Sequence, residues 1–592
     1  MNKNLVASSV ALALVLPSAA IIAEENKLVI SANRIQQDIN DTLTDVIVID
    51  RLEIERKQPQ SLVDLLVNVA GVDFTQTGGH GQDSSVFIRG SNSNQLLVLV
   101  DGVRVGSATL GSKAVSTIPM AQVERIEIVK GPRAAIWGSD AIGGVIQIFT
   151  RNYQQGQYRV ALNAGSNNTL ELDAAVGLGD DTLNTTIIYS NKSSDGFDVL
   201  AGTEPDKDGY ENESLALKGG YLISDSSELE WLFQSDRGET DFDSLFSTDN
   251  VTEYNNHLWR LGYSIESGTW NHAFAVNGSR DSSGNFETRR EQISYNFQNQ
   301  MTSDFSFSGG IDLLTDDISK SQTVYDQEKR DTQSVFLSAN YVGDKFLVDL
   351  AIRNDDVDQV ATETTSNFGI GYRISSSHLI SLNYGEGFKA PSFNDLYFPN
   401  FGNPALKFET SENTELVYKG RFGSSRLTVS IYQSDIENLI QFALDGSGNF
   451  SAQNIGMAEI SGIDLTYQFK TGDFTHKITA DDIEAKDGTT GDLLIRRAKN
   501  HFGYEVNYAQ ESLDWFVQVQ SVGKRPDTDF STFTAVELDS YTRFNLGVGY
   551  DVSEQLRLQL KVNDLTDEAP VIVTGYNPVE QEIYLSASYR VE

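Results

Sequence analysis

Acidic residues recur along two short stretches of the chain, and carboxylates at this spacing could hold a divalent cation. The first stretch begins at Asp198 and the second at Asp243. Calcium takes six to eight oxygen ligands from flexible carboxylates and carbonyls, so side chains from two neighbouring loops can share one ion. A solvated acidic loop is the alternative, and the residues alone leave it open. The candidate calcium ligands are Asp198, Glu204, Asp206, Asp208, Asp243 and Asp249.

No other group of residues has the spacing of a catalytic or transition-metal site. The six histidines are scattered and form no spaced pair, so we expect structural roles for them. The glycine-rich run Gly138–Gly144 lacks the Gly-Lys-Ser/Thr ending of a phosphate-binding loop. We therefore predict that the protein is not an enzyme and has no catalytic residues.

Strictly alternating apolar and polar residues mark the C-terminal three quarters of the chain. In Ile463–Lys470 the odd positions are apolar and the even positions polar, and segments 427–432, 556–562 and 583–591 repeat the pattern. A period of two predicts β-strands with one apolar face. A soluble β-sandwich and a membrane barrel share this periodicity, which therefore leaves both open.

The length of the alternating region favours the barrel. About 440 residues exceed what one soluble sheet pair needs, and one strand for every 20 residues or so gives roughly 22 strands. A barrel this wide leaves an open lumen that is typically plugged. Tyrosine, phenylalanine and tryptophan would form its interfacial girdles. We predict an all-β fold, a 22-stranded antiparallel transmembrane barrel with an N-terminal globular plug in its lumen.

The N-terminus predicts export. Lys3 precedes an apolar run, Leu5–Leu16, that is too short to span a bilayer, and small residues follow, so residues 1–23 are predicted to be a secretory signal peptide. The absence of cysteine fits an exported chain. With 45 basic and 83 acidic residues, a net charge of −38 argues against a nucleic-acid partner.

Short β-prone runs alternate with glycine-bearing turns before the barrel begins. These runs are Val86–Ile88, Leu96–Val100, Arg125–Val129 and Val145–Phe149. The pattern predicts a compact domain that could serve as the plug. The predicted divisions of the chain are a signal at 1–23, an extended segment at 24–32, the plug at 33–152 and the barrel at 153–592.

Several motifs resemble the TonB-dependent outer-membrane receptors of Gram-negative bacteria. IRG at Ile88–Gly90, VDGVR at Val100–Arg104 and VERIEIVKGP…WGSDAIGGVI at Val123–Ile146 are similar to the plug of that family. Three further stretches resemble its cobalamin (vitamin B12) receptors: KLVISANR at Lys27–Arg34, GGHGQDSSVFIRGSNS at Gly78–Ser93, and LLIRRAK at Leu493–Lys499. The acidic set leans the same way.

The resemblance implies roles for particular residues. It implies a TonB box, a strand that pairs with the periplasmic protein TonB by strand addition, at Lys27, Leu28, Val29, Ile30, Ser31 and Ala32. It implies calcium at the acidic set, as a structural ion that orders loops and promotes substrate binding. It implies a substrate surface at Asp83, Ser85, Asn92, Leu110, Gly111, Phe242, Ser244, Arg496 and Phe530.

Two of these residues depart from the family pattern. Asp83 replaces a usually apolar residue, and Phe530 lacks a tyrosine hydroxyl. For Arg496, a second role as a lumen-facing partner of an acidic plug residue stays open.

The resemblance implies TonB-dependent transport of cobalamin across the outer membrane by a monomeric barrel. Its expected partners are cobalamin, TonB with its inner-membrane energising complex, outer-membrane lipid and lipopolysaccharide, and a periplasmic cobalamin-binding protein. The alternative substrate is an iron–siderophore, haem or another metal chelate. From other classes, the alternatives are a secreted β-rich adhesin and an outer-membrane lipase or protease.

Overall fold

A closed barrel of 22 antiparallel strands surrounds a smaller N-terminal domain in the computed structural model. The structure describes residues 28–29, 32–112, 115–200, 205–244, 250–444 and 450–591. The first and last barrel strands pair with each other, so every strand has two neighbours and no sheet edge is left open. The predicted fold class is confirmed. The predicted signal peptide lies outside the described residues.

The N-terminal domain, here called the plug, contains nine short strands. They are β1 (Leu28–Val29), β2 (Gln37–Asp38), β3 (Val46–Ile49), β4 (Val72–Gln76), β5 (Ser84–Ile88), β6 (Leu96–Val100), β7 (Val103–Arg104), β8 (Val123–Lys130) and β9 (Gly144–Thr150). The α-helices are α1 (Arg51–Lys57), α2 (Leu62–Leu66), α3 (Ala134–Trp137) and, in the barrel, α4 (Phe393–Tyr397). Single 3₁₀ turns occupy Ile39–Asp41, Ser93–Gln95 and Met120–Gln122.

The barrel strands follow one another around the wall in chain order. They are β10 (Tyr158–Gly165), β11 (Thr169–Gly179), β12 (Leu183–Phe197), β13 (Asp208–Ser224), β14 (Ser227–Asp241), β15 (Val251–Ser267), β16 (Trp270–Ser283), β17 (Phe286–Gln300), β18 (Phe305–Asp317), β19 (Lys329–Val342), β20 (Phe346–Val357), β21 (Ala361–Ser375), β22 (His378–Lys389), β23 (Glu409–Phe422), β24 (Ser425–Leu444), β25 (Phe450–Thr471), β26 (Phe474–Asp487), β27 (Asn500–Gln510), β28 (Leu513–Val522), β31 (Tyr541–Asp551), β32 (Leu556–Asn563) and β33 (Glu582–Val591). Between β28 and β31, a hairpin of β29 (Arg525–Asp529) and β30 (Thr534–Leu538) stands apart from the wall.

Apolar side chains face outward from the barrel and polar side chains face its lumen. Ile431 is 52% exposed while Ser430 beside it is fully buried, and Ile463 is 42% exposed while Asp464 is 2% exposed. The predicted faces of these strands are therefore confirmed. The outward apolar band is the surface that the hydrocarbon core of a membrane covers. Among the described residues, no helix has both the length and the apolar character needed to cross a bilayer.

The two ends of the barrel differ in the length of their connections. At the end where the chain enters β10, all ten connections have two to four residues, whereas the opposite end carries the long ones, such as 390–408. Short turns face the periplasm in barrels of this kind, and long loops face outward. Asp198 and Asp243 therefore lie at the outer end. The chain enters the barrel wall at the inner end, and β1 lies in the part of the chain before that point.

The plug is built on a mixed five-stranded sheet in the order β3-β8-β9-β6-β7, with β4 and β5 forming a separate hairpin. All five residues of β6 are buried, as expected for a strand covered on both faces. Asp50 accepts a hydrogen bond from the amide of Glu53 and so caps the start of α1. The four predicted plug strands correspond to β5, β6, β8 and β9.

Candidate functional site

Three carboxylates of the predicted calcium set converge at the outer rim. Oxygens of Asp198, Asp208 and Asp243 all lie within 4.8 Å of one another, the only such group of three metal-ligating side chains among the described residues. Asp198 follows β12, Asp208 begins β13 and Asp243 follows β14, so three adjacent strand ends deliver them. Because β12, β13 and β14 are neighbours in the barrel wall, residues at their outer ends lie close together.

Asp243 carries the clearest sign that this group accommodates a cation. Its side chain is 5% exposed, and neither carboxylate oxygen accepts a hydrogen bond from any described residue. A buried carboxylate without a partner is costly unless a positive charge compensates it. By contrast, Asp208 accepts a 2.8 Å hydrogen bond from the amide of Val199, and Asp198 accepts one from that of Leu200. The donor set, all carboxylate oxygen, suits a hard divalent ion such as calcium.

The other predicted calcium ligands lie apart from this trio or cannot be placed. Asp206 is exposed and does not belong to the group. Glu204 and Asp249 lie outside the described residues.

Several predicted substrate residues lie on the barrel rim or on the plug. Phe242 and Ser244 flank Asp243 directly. Asp83 is exposed on the plug loop before β5, where partial burial raises the pKa of its carboxyl. Ser85 lies within β5. Leu110 is 50% exposed on the plug loop between β7 and β8, here called the second plug loop. Gly111 beside it adopts the left-handed conformation that glycine tolerates.

Arg496 and Phe530 come together from two further outer loops of the barrel. The guanidinium carbon of Arg496 lies 5.6 Å from the ring centroid of Phe530, and its Nε donates to Asp527 on β29 at 3.1 Å. The partner of Arg496 is therefore an outer hairpin of the barrel rather than an acidic plug residue. A cation stacked on an aromatic ring forms a flat surface that a large planar ligand could contact.

Tyr576, which sequence reasoning missed, lies near Asp243 of the trio and near Arg496. It belongs to the loop after β32 and forms an isolated β-bridge with Leu200. Burial raises the pKa of its phenol, the charges of Asp83 and Asp243 raise it further, and Arg496 opposes them. Its neighbours are separated by hundreds of residues in sequence, so no local pattern could identify it.

Asn92 serves the plug rather than an open surface. Its side-chain oxygen accepts a hydrogen bond from Arg497, which also donates to the carbonyl of Gly90 at 3.2 Å. The guanidinium of Arg497 stacks over Phe87 at 4.4 Å. Arg497, which follows the predicted Arg496 in sequence, thus holds the plug segment after β5, with Gly90 and Asn92, against the barrel.

The N-terminal strand of the predicted TonB box is paired within the chain itself. β1 pairs antiparallel with β2, with Val29 opposite Gln37. Val29 is fully buried and packs with Ala32, Val46 and Val129. Lys27, Ile30 and Ser31 lie outside the described residues. Because Val29 is buried against the plug, a partner that takes up this strand must first displace it from that packing.

Arg34 anchors the chain just beyond this strand. Its guanidinium stacks between Trp137 of the plug, at 4.5 Å, and Phe336 of the barrel, at 4.7 Å. It also forms a 3.1 Å ion pair with Asp312 on β18. Pulling on β1 therefore acts directly on a contact between plug and wall.

A buried ionic network joins the plug to the barrel wall. Arg89 pairs with Glu415 at 2.6 Å and Asp464 at 2.9 Å, and Lys130 pairs with Asp464 at 3.1 Å and with Asp45 at 2.7 Å. Burial alone would lower the pKa of Arg89, but Glu415 and Asp464 hold it above its usual range. Both cations stay charged, so the network holds the plug electrostatically.

Replacing Arg89 by alanine is expected to lower the stability of the plug in the barrel by about 3–5 kcal/mol, because the buried carboxylate of Glu415 loses its ion pair and Asp464 keeps only Lys130. Hydrogen exchange of peptides from β5 and β8 in the detergent-solubilised protein measures the loss. Arg237→Ala breaks an exposed pair with Glu213 on the barrel rim and should leave exchange in the plug unchanged. Equal protection of β5 and β8 in wild type and Arg89→Ala would contradict the role of the network.

Comparisons with known proteins agree with this architecture. The family model described as "TonB-dependent Receptor Plug Domain" matches residues 38–145, and "TonB dependent receptor-like, beta-barrel" matches residues 151–565. A protein of Photobacterium profundum named "Vitamin B12 transporter BtuB" is 34% identical over the whole of both chains. One of Vibrio cholerae with the same name is 31% identical, again over the whole of both chains.

Solved structures support the fold. The siderophore receptor PirA of Acinetobacter baumannii superposes with a TM-score of 0.80 at 17% identity, covering 92% of this chain and 98% of its own. The ferric enterobactin receptor PfeA of Pseudomonas aeruginosa gives 0.79 at 16% identity, covering 93% of this chain and all of its own. Members of this family transport ligands and are not enzymes. This chain belongs to the TonB-dependent receptors, integral barrels of the outer membrane.

Proposed function

We propose that this receptor binds cobalamin at its outer face with calcium in place, and moves it into the periplasm with energy delivered through TonB. The observation that carries the substrate is full-length identity of 31–34% to proteins named vitamin B12 transporters. The siderophore receptors resemble this chain at 16–17% identity, which supports a shared fold and does not choose a substrate.

The outer face offers suitable chemistry for a corrinoid. Cobalamin is a large, nearly planar ligand with peripheral amides and a phosphodiester. The ring of Phe530 under Arg496 provides a flat aromatic and cationic surface, and the plug loops at Asp83 and Gly111 provide polar and backbone groups. Calcium at Asp198, Asp208 and Asp243 would fix three strand ends and the residues beside them, Phe242 and Ser244.

TonB would take β1 by strand addition once β1 has left β2. The outer membrane has no nucleotide supply and the plug fills the lumen, so work must reach the plug from the periplasmic side. A periplasmic cobalamin-binding protein would receive the ligand there.

Equilibrium binding of cyanocobalamin to the detergent-purified receptor, with calcium and with a chelator, tests the proposal. Binding that tightens with calcium supports both the substrate and the ion. Equal affinity with calcium and with the chelator supports cobalamin as the substrate and contradicts a role of calcium in binding it. No binding in either condition contradicts the substrate and favours a metal chelate, which ferric siderophores and haem would then test.

Asp243→Asn is expected to remove most of the calcium response. The orphan carboxylate would lose its charge, and the site would lose at least the roughly 10–100-fold in metal affinity that even an outer-shell change costs. Cyanocobalamin binding by the variant in calcium should approach that of the wild type in chelator. Asp195→Asn is the matched control, because Asp195 is exposed on the same rim and lies outside the trio. A normal calcium response in Asp243→Asn would exclude Asp243 as a ligand.

A further inference from the structure

A cavity of about 500 Å³ separates the plug from one side of the barrel wall. On the outer side it is lined by Ser107, Ala108 and Gly111 of the second plug loop, and by Ser392 of the barrel. Towards the inner end it reaches Lys218 of β13, Glu230 of β14 and Arg260 of β15. It therefore runs from beneath a predicted substrate loop into the inner half of the lumen.

The charge of this cavity differs from that of the chain as a whole. Its lining contains eight lysine and arginine residues and six aspartate and glutamate residues, in a chain whose net charge is −38. Most of the cations are already neutralised. Arg290 pairs with Asp316 at 2.7 Å and Lys218 with Asp101 at 3.3 Å.

Arg260 is the exception. It forms no ion pair and no hydrogen bond with any described residue. Glu230 of β14 and Gly102 of the plug lie nearby. It extends from β15 into the cavity, since its neighbour Leu261 is 48% exposed on the lipid side. A guanidinium that faces a polar cavity without a carboxylate partner is available to an anionic group of a ligand.

One residue that lines the cavity, Arg34, lies close in sequence to the TonB box. Arg34 lines the cavity and donates to Asn296 on β17 at 3.2 Å. Ala273, opposite Asn296 in the sheet, also lines it and is a small residue. Withdrawal of the chain at β1 and Arg34 would thus widen the cavity at its inner end.

We propose that this cavity is the route by which the ligand crosses the lumen, and that Arg260 binds the phosphodiester of the ligand on the way. The route rests on the proposed function for the identity of the ligand. The ligand descends from the Gly111 loop along the β13–β22 side of the plug. Arg260 supplies a transient anion site near the inner end, where the ligand has left the outer residues.

A reversible block tests the route. The native chain has no cysteine, so Ala273→Cys introduces a single thiol. In cells, a bulky methanethiosulfonate reagent should modify it and reduce cyanocobalamin uptake to background. Surface binding should be unchanged, and a reductant should restore uptake in the same cells. Val276→Cys on the same strand is the control, because Val276 is 41% exposed on the lipid face.

The outcomes separate the route from the function. If unmodified receptor neither binds nor imports cyanocobalamin, the proposed function fails. If it imports cyanocobalamin and the modified Ala273→Cys receptor imports equally fast, the route is wrong. Full restoration by reductant excludes a folding defect as the cause of the block.

Comparing two ligands tests Arg260. Arg260→Gln should slow cobalamin uptake by roughly tenfold, the value of one charge-assisted hydrogen bond. Uptake of cobinamide, a corrinoid without the phosphodiester and base, should not change. Arg260→Lys should recover most of the cobalamin rate. An equal loss with both ligands, or no loss with either, would overturn the role of Arg260.

Discussion

Replacing Val29 by proline is expected to abolish cobalamin uptake and leave binding of the ligand at the cell surface unchanged. Proline removes a backbone donor and fixes φ, so the segment can no longer pair as a regular strand with TonB. Val29 packs against Ala32, Val46 and Val129 of the plug, and none of these is a predicted substrate residue. Uptake of radiolabelled cyanocobalamin by whole cells, measured beside surface binding at low temperature, distinguishes the two effects.

Val29→Ile provides the matched control. Isoleucine keeps the branched apolar side chain and the backbone donor, so uptake should stay within about twofold of wild type, since a strand accepts either residue. Normal uptake by Val29→Pro would exclude strand pairing at β1 as the route of energy transfer. Loss of surface binding in the same variant would point instead to damage throughout the plug.

A disulfide between the plug and the wall is expected to stop transport in the oxidised protein. A Cβ added at Gly369 on β21 would lie 3.5 Å from the Cβ of Leu43, within the range that a disulfide requires. Leu43 lies just before β3, an edge strand that pairs only with β8. Tension applied at β1 passes the contacts of Arg34 and then reaches this point before it reaches the five-stranded sheet, so a covalent bond here should keep the rest of the plug in place.

The double variant Leu43→Cys/Gly369→Cys should therefore bind cobalamin but import it only after reduction. The barrel pair Leu347→Cys/Gly371→Cys is the control, because these residues face each other on β20 and β21 with a Cβ separation of 3.4 Å. Each pair needs a small shift of one side-chain end, of Asn383 or of Leu43 respectively. Full uptake by the oxidised plug–wall pair would confine the moving part to residues before 43.

Local periodicity and the length of the alternating region together predicted the barrel. The period-two pattern identified which residues face lipid, as Ile431 and Ser430 illustrate, and length alone indicated the number of strands. The same regularity brought Asp198, Asp208 and Asp243 to neighbouring strand ends. Such features depend on the order of strands along the chain, which the sequence carries directly.

Contacts between plug and wall could not be predicted in this way. Arg89 meets carboxylates that are 326 and 375 positions away, so its partners depend on how the finished plug sits in the finished barrel. The pairing of β1 with β2 was also missed, because two residues carry no periodic signal. The β29–β30 hairpin was missed for another reason: its strands resemble those of the barrel, and nothing in their sequence shows that they stand apart from the wall.

The burial of β1 against the plug limits how often TonB can bind the receptor. Val29 is fully buried, so only the fraction of receptors in which this segment has separated from the plug presents the strand. The apparent affinity for TonB is then the intrinsic affinity multiplied by that fraction. In a cell with few TonB molecules and many receptors, receptors whose β1 segment is still packed against the plug would bind little TonB. More TonB then stays free for receptors that have released the segment.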